Sequence, residues 1–243
     1  MKRILLKIAY DGSSYKGWQK QEGLDTIQGM IEKALYLAFK KEIEIFASGR
    51  TDAGVHAIEQ CAHFDIDDSV PVKKIKNILN RILPNDIEIK SAKIVSNDFH
   101  ARFSVKKKKY LYKIATSCKN CFLAKRVGFV KEKLDVTKMQ ECAFLFLGKH
   151  NFKGFCSSQT SAKDFEKTIY NILVLKKKNF VEVEVEGSGF LMHMVRILVG
   201  TMVDYALGKI TKEDIVCALK TQDRSFAGQT MPPQGLYLKK VFY

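Results

Sequence analysis

The first part of the chain alternates between segments whose apolar residues have strand spacing and segments whose apolar residues have helical spacing. Residues 2–10 are rich in Ile and Leu and stop at the turn signal Asp11-Gly12, which predicts a strand. Apolar residues then recur with helical spacing over 27–38, behind the candidate N-cap residues Asp25 and Thr26. The same criteria predict strands at 42–47, 60–65 and 87–92 and a helix at 72–82.

The second part of the chain repeats this order of elements. It predicts a strand at 110–116, a helix at 136–147, a hairpin at 165–175 and 180–186, a helix at 190–206 and a strand at 236–242. Two successive β-α-β-β-α-β units predict an α+β fold in which two ferredoxin-like units form a shared central sheet with a basic cleft. We expect an N-terminal domain at 1–105 and a C-terminal domain at 106–243, because the lysine run 106–109 interrupts the apolar pattern.

The charge of the chain favours a polyanionic partner. Lys and Arg total 41 against 26 for Asp and Glu, so the formal net charge is +15. Such a surplus is typical of nucleic-acid binding, although a lysine-rich surface also keeps ordinary proteins in solution. No run of about 18 apolar residues predicts a membrane span, and no signal peptide is recognised. We therefore expect a cytoplasmic protein with no membrane partner.

The sequence predicts no metal site. Six cysteines are scattered without a disulfide framework, and Cys118 and Cys121 form a single C-x-x-C. Zinc would need a second ligand pair at compact spacing, and neither the other cysteines nor the five histidines provide one.

The strongest local signal is the segment 47–57, which joins two predicted strands and carries Asp52 between Gly49 and Gly54. Arg50 lies two residues earlier, and a neighbouring cation keeps a carboxylate ionised. Asp52 is compatible with nucleophile, general base or metal ligand, and also with a carboxylate that only caps its own turn. Metal-assisted phosphodiester chemistry usually needs convergent carboxylates, so the lone acid favours a metal-free reaction.

This segment, Gly49-Arg50-Thr51-Asp52-Ala53-Gly54-Val55-His56-Ala57, resembles the signature of the TruA family of tRNA pseudouridine synthases. Further similar segments occur in order along nearly the whole chain. They are Tyr10-Asp11-Gly12, Tyr15-Lys16-Gly17-Trp18-Gln19, Thr26-Ile27-Gln28-Gly29, Phe99-His100-Ala101-Arg102-Phe103-Ser104, Gly189-Phe190-Leu191-Met192-His193-Met194-Val195-Arg196, Val199-Gly200-Thr201 and Pro232-Pro233-Gln234-Gly235-Leu236-Tyr237-Leu238.

The resemblance implies an isomerase that converts uridine to pseudouridine at positions 38–40 in the anticodon stem-loop of tRNA. It implies that Asp52 is the catalytic nucleophile, that no cofactor is needed, and that the enzyme is a homodimer. Whether the carboxylate adds at C1′ or at C6, or whether a glycal forms, is left open. Two other functions also remain open at this point: a noncatalytic RNA-binding protein, and a pseudouridine synthase for another RNA site.

The resemblance also implies roles for residues elsewhere in the chain. Tyr110 would stack on the target base, Arg196 would pair with the catalytic aspartate, and Leu236 would contact the base. From the residues alone, Tyr110 and Leu236 are equally typical of a strand core, and Arg196 of a helix edge. Arg50 is expected to contact RNA. The candidate phosphate contacts are Lys16, Lys20, Arg102, Lys106, Lys107 and Lys108, the last in a run where the family usually has an arginine.

Overall fold

The computed structural model describes residues 1–67, 69–116, 121–178 and 180–243, so Cys118 of the C-x-x-C lies outside the described residues. No helix in these ranges is both long enough and apolar enough to cross a bilayer. The chain forms two compact units. The first comprises Met1–Lys106 together with Tyr237–Tyr243, and the second comprises Lys107–Leu236.

The strands in chain order are β1 (Lys2–Tyr10), β2 (Phe46–Ala47), β3 (His56–Ile66), β4 (Ile87–Val95), β5 (Lys107–Thr116), β6 (Gly128–Val130), β7 (Gly148–Asn151), β8 (Glu166–Lys176), β9 (Phe180–Gly187) and β10 (Leu236–Phe242). The helices are α1 (Ile27–Phe39), α2 (Val72–Ile82), α3 (Val136–Phe144), α4 (Met194–Ala206) and α5 (Lys212–Thr221).

The first unit has the ferredoxin-like strand order. Its strands lie in the order β4-β1-β3-β2, and each pair of neighbours is antiparallel. Alternate residues of β1 are fully buried, namely Ile4, Leu6 and Ile8, and the apolar faces of α1 and α2 are buried with them. The last strand, β10, pairs in parallel with β3, with Tyr237 opposite His56. This sheet carries the segment 47–57, which leads from β2 into β3.

The second unit has a sheet with the order β5-β9-β8-β7, and β6 pairs with β5. The neighbours β5, β9 and β8 are antiparallel, and Tyr110 lies opposite Val185. Helix α4 is buried along most of its length, with Asp204 the only acid in it. Burial of one apolar face of the sheet and of α4 supplies the hydrophobic core of this unit.

The predicted α+β architecture is confirmed, and β1, α2 and β10 match the predicted bounds of their elements. Other predicted elements differ in extent. Strand β3 begins at His56 rather than at residue 60, and α3 ends at Phe144 rather than at residue 147. The strand predicted at 42–47 is reduced to Phe46–Ala47. The helix predicted at 190–206 begins at Met194, because His193 has a left-handed backbone (φ 61°) that a continuous helix cannot contain.

Two features of the organisation differ from the sequence-based expectation. The sequence assigned residues 237–243 to the second half, whereas the structure groups them with the first unit, where β10 pairs with β3. Helix α5 was not predicted at all. It begins at Lys212 behind the N-cap Thr211, which forms a capping box. The Thr211 hydroxyl accepts from Asp214 N–H, and the Asp214 carboxylate accepts from Thr211 N–H.

Candidate active site

Asp52 occupies the first position of a tight turn between β2 and β3. The N–H of Val55 donates to the carbonyl of Asp52 at 3.2 Å, and Gly54, the third residue of the turn, has φ +77°. This is the conformation of a type II turn, which favours glycine at its third position. Asp52 is partly exposed, whereas Thr51 and Val55 on either side are buried. The carboxylate therefore reaches the surface from a backbone that is anchored on both sides.

The residues that follow β1 hold this turn in place. Trp18 N–H donates to the carbonyl of Thr51 at 3.0 Å, and Gly54 N–H donates to the carbonyl of Tyr15 at 3.4 Å. The hydroxyls of Tyr10 and Thr51 share a hydrogen bond of 2.8 Å in a buried setting. Burial raises the pKa of the Tyr10 phenol, so this hydroxyl stays protonated. Residues 10–18 are therefore the support of the Asp52 turn.

Two glycines allow that support to approach so closely. A Cβ at Gly12 would lie 2.0 Å from the carbonyl oxygen of Val55. A Cβ at Gly17 would lie 2.8 Å from the carbonyl oxygen of Thr51, and Gly17 also has φ +91°. Any side chain at either position would displace the backbone of the Asp52 turn.

The base of the turn is fixed by two further buried side chains. The amide of Gln60 accepts from the Ser48 hydroxyl at 2.6 Å and donates to the carbonyl of Gly49 at 2.9 Å. His56 Nδ1 accepts from Gly12 N–H at 3.1 Å and lies 3.2 Å from the Asp11 carboxylate. Sequence reasoning did not assign a role to Gln60, because a single glutamine in a strand gives no signal of what it bonds.

The predicted base-stacking tyrosine, Tyr110, lies in β5 of the second unit and is 9% exposed. Its ring contacts Phe190 edge-on, with centroids 5.1 Å apart. Tyr112 on the same face donates from its hydroxyl to the carbonyl of Pro232 at 2.7 Å, and burial raises the pKa of that phenol. Leu236 is likewise buried, at 6% exposure.

Arg196 lies in the first turns of α4 and is partly exposed. Its Nε donates to the carbonyl of Met231 at 2.7 Å, and its own carbonyl accepts from Met231 N–H at 3.2 Å. The guanidinium is thus oriented by backbone that precedes β10.

The predicted RNA-contacting residues lie in different settings. Arg50, Lys16, Arg102 and Lys106 are exposed. Lys20, also exposed, is bonded to Glu32 at 3.0 Å. Lys107 forms an ion pair with Glu186 at 2.8 Å, and Lys108, next to it in β5, is partly buried. In the described part of the chain no three His, Cys, Asp or Glu side chains are placed to hold a metal ion.

Comparison with known proteins identifies the family. A family model described as tRNA pseudouridine synthase matches residues 7–104 and 142–243. The chain is 42% identical over 245 residues to tRNA pseudouridine synthase A 2 of Clostridium tetani, covering 100% of this chain and 99% of that protein. It is 41% identical to tRNA pseudouridine synthase A of Acetivibrio thermocellus and 40% identical to that of Caldicellulosiruptor bescii, each over 244 residues and covering 100% of both chains. The chain therefore belongs to the tRNA pseudouridine synthase family.

Proposed function

We propose that the protein isomerises uridine to pseudouridine at positions 38–40 in the anticodon stem-loop of tRNA, with Asp52 as the nucleophile. The observation that carries the proposal is the placement of Asp52. It is a partly exposed carboxylate on a turn that is hydrogen-bonded to Tyr15 and Trp18 on its support. The similarity over the full chain to proteins named tRNA pseudouridine synthase A supports the reaction and the class of substrate.

The reaction needs a positioned carboxylate and no redox partner. The bond between N1 and C1′ breaks, the uracil rotates and a bond forms between C5 and C1′. C5 loses its proton to water, and N1 takes up a proton. Reactant and product are isomers, so no electrons are gained or lost overall. Addition of Asp52 at C1′, its addition at C6 and the glycal route all require an ionised acid beside the nucleoside. A turn held by hydrogen bonds to Tyr15 and Trp18 keeps this acid in a reactive geometry before the substrate arrives.

The roles of the other residues are proposed from the family resemblance. Tyr110 stacks on the target base, Leu236 contacts the base, and Arg196 pairs with the catalytic carboxylate. A guanidinium suits this role because it binds a carboxylate through two parallel hydrogen bonds. Arg50 contacts the RNA from its exposed position beside Asp52, where the target nucleotide must leave its stack at a cost of about a few kcal/mol.

Six cations, four of them exposed and two partly buried, are proposed to bind the phosphate backbone. The residues assigned to these phosphate contacts are Lys16, Lys20, Arg102, Lys106, Lys107 and Lys108. Two of them already have acidic neighbours, Glu32 for Lys20 and Glu186 for Lys107. We expect these two to contribute less to the salt dependence of binding than the exposed Arg102 and Lys106, because their charge is partly compensated in the free protein.

The test of this proposal is tritium release from tRNA labelled at C5 of uridine. The wild-type protein is expected to release label to water, and Asp52→Asn is expected to release none while still binding tRNA. Asp98→Asn is the matched control, since Asp98 is an exposed aspartate outside the turn. Tight binding of tRNA without release by the wild type would indicate a noncatalytic RNA-binding protein instead.

We further propose that the enzyme acts as a cytoplasmic homodimer. Light scattering at the concentrations used in the release assay is expected to give twice the chain mass of 27.7 kDa. An active enzyme with the mass of a single chain would exclude the dimer without affecting the catalytic assignment.

A further inference from the structure

Residues 227–232, here called the strap, lie against helix α4 and end just before β10. Both backbone groups of Met231 in the strap are bonded to Arg196: its carbonyl accepts from Arg196 Nε at 2.7 Å, and its N–H donates to the Arg196 carbonyl at 3.2 Å. The strap therefore bonds both the side chain and the backbone of Arg196.

A buried carboxylate farther along α4 holds the middle of the strap. Asp204 is 7% exposed. Its Oδ2 accepts from the backbone N–H of Gln229 at 2.8 Å, and its Oδ1 accepts from the Gln229 side-chain amide at 2.8 Å. Hydrogen bonds to a charged acceptor are about twice as strong as those between neutral groups. Asp204 therefore holds both the backbone and the side chain of Gln229, one with each carboxylate oxygen.

Thr201 bonds the neighbouring residue of the strap, Gly228. Its hydroxyl, which is fully buried, accepts from Gly228 N–H at 3.0 Å and donates to the Ile197 carbonyl at 2.8 Å. Gly200 lets the strap lie directly on the helix, because a Cβ there would be 1.8 Å from the Gln229 carbonyl oxygen. The Gly200-Thr201 segment thus receives a physical explanation that the catalytic roles do not give it.

The ends of the strap are also bonded. Arg224 donates to the carbonyl of Ala227 at 2.9 Å and to the Thr230 hydroxyl at 3.3 Å. Tyr112 donates to the carbonyl of Pro232 at 2.7 Å. Each of the six strap residues therefore has a hydrogen bond to a neighbouring element, and Met231 is held on both sides of its contact with Arg196.

The bond at Nε has a geometric consequence for Arg196. A guanidinium is planar and presents its five donors in a fixed arrangement. A hydrogen bond from Nε to a carbonyl of the bonded strap therefore limits rotation of the whole plane. Asp204 lies eight residues beyond Arg196 on α4, about 12 Å along the helix axis, so it acts on the guanidinium only through the strap.

We propose that Asp204 and Thr201 are positioning residues of the enzyme, which act through the strap to fix the orientation of the Arg196 guanidinium for the reaction. This inference rests on the proposed function, in which Arg196 serves the catalytic carboxylate. It adds that the arginine is oriented by a dedicated set of bonds from its own helix.

The test uses two conservative changes with a matched control. Asp204→Asn keeps the shape of the side chain but turns an NH2 group toward one of the two Gln229 donors. Thr201→Val removes the hydroxyl, whereas Thr201→Ser keeps it. At a temperature where urea unfolding shows each variant to be folded, kcat for tritium release is expected to fall about tenfold or more for the first two. KM for tRNA and the activity of Thr201→Ser are expected to stay within about twofold.

A double-mutant cycle with Arg196→Lys shows whether Asp204 acts through Arg196 or independently of it. Lysine has no planar guanidinium to orient, so Asp204→Asn should cost almost nothing further in the Arg196→Lys background. If the two losses multiply, Asp204 acts independently of Arg196 and the inference is wrong, while the proposed function stands. If Arg196→Lys alone leaves kcat unchanged, the role of Arg196 itself is refuted. If Asp204→Asn does not fold, the Thr201 pair in the same cycle decides.

Discussion

Replacing Gly17 by alanine would push a methyl group into the backbone of the Asp52 turn. The new Cβ would lie 2.8 Å from the Thr51 carbonyl oxygen, 3.2 Å from Ala53 N and 3.2 Å from the Asp52 carbonyl carbon. Ordinary van der Waals contact begins at 3.4 Å, so the turn must retreat by about 0.6 Å. The Thr51 carbonyl also accepts the bond from Trp18, so this shift strains the support of Asp52.

Gly23→Ala provides a control that also places alanine at a positive φ but makes no contact. Gly17 has φ +91° and Gly23 has φ +70°, but no atom lies within 4 Å of a Cβ at Gly23. A left-handed backbone costs a non-glycine residue about 1–2 kcal/mol, which both variants should lose. Overpacking adds about 1–3 kcal/mol in Gly17→Ala alone. The difference in free energy of unfolding between the two variants isolates the contact with the turn.

Urea unfolding measures both stabilities, and tritium release measures the chemical step. We expect Gly17→Ala to lower kcat at least about tenfold, because a misplacement of 1 Å near reacting groups costs about 100-fold. Gly23→Ala is expected to keep kcat. Equal kcat values for the two variants would show that activity does not depend on a rigidly held Asp52 turn.

Three further predictions concern a buried hydrogen bond, an exposed arginine and a buried histidine. Tyr10→Phe leaves the buried Thr51 hydroxyl without its 2.8 Å partner, so urea unfolding should show a loss of about 1–3 kcal/mol, and an unchanged stability would exclude the bond. Arg102→Ala should weaken tRNA binding at low salt and reduce the slope of log K against log salt by about one, whereas an unaltered slope would remove Arg102 from the phosphate contacts. Burial, with His100 nearby, lowers the pKa of His63 to about 4. As the pH falls, the unfolded chain therefore binds a proton at this histidine before the folded chain does. The free energy of unfolding should decrease by up to about 2 kcal/mol as the pH decreases from about 6.5 to 5. His63→Gln should lose this part of the pH dependence. A pH profile of stability identical to that of the wild type would refute the role of His63.

The periodic pattern of apolar residues was sufficient to predict most of the fold. Alternation in β1 and the helical face of α2 are local properties, and both elements have the predicted bounds. The pattern failed at residues 190–193, where apolar side chains continue the helical spacing although the His193 backbone is left-handed. It also missed α5, whose start depends on the reciprocal bonds of Thr211 and Asp214 more than on an apolar face.

The candidate site was predicted only as far as sequence motifs reach. The glycine-bounded turn could be located because Gly54 is required by its backbone. Its supports could not be deduced, because the contact of Gly17 with Thr51 joins residues that are distant in sequence. The same holds for the strap, where Asp204 and Gln229 lie 25 positions apart.

We propose that Asp52 performs the isomerisation of uridines in the anticodon stem-loop. The most direct measurement maps pseudouridine in tRNA from cells that lack this protein and are supplied with either the wild-type or the Asp52→Asn chain. We expect the wild type to restore pseudouridine at positions 38–40, and Asp52→Asn, present at the same level and still binding tRNA, to restore none. Pseudouridine at these positions with Asp52→Asn would contradict it.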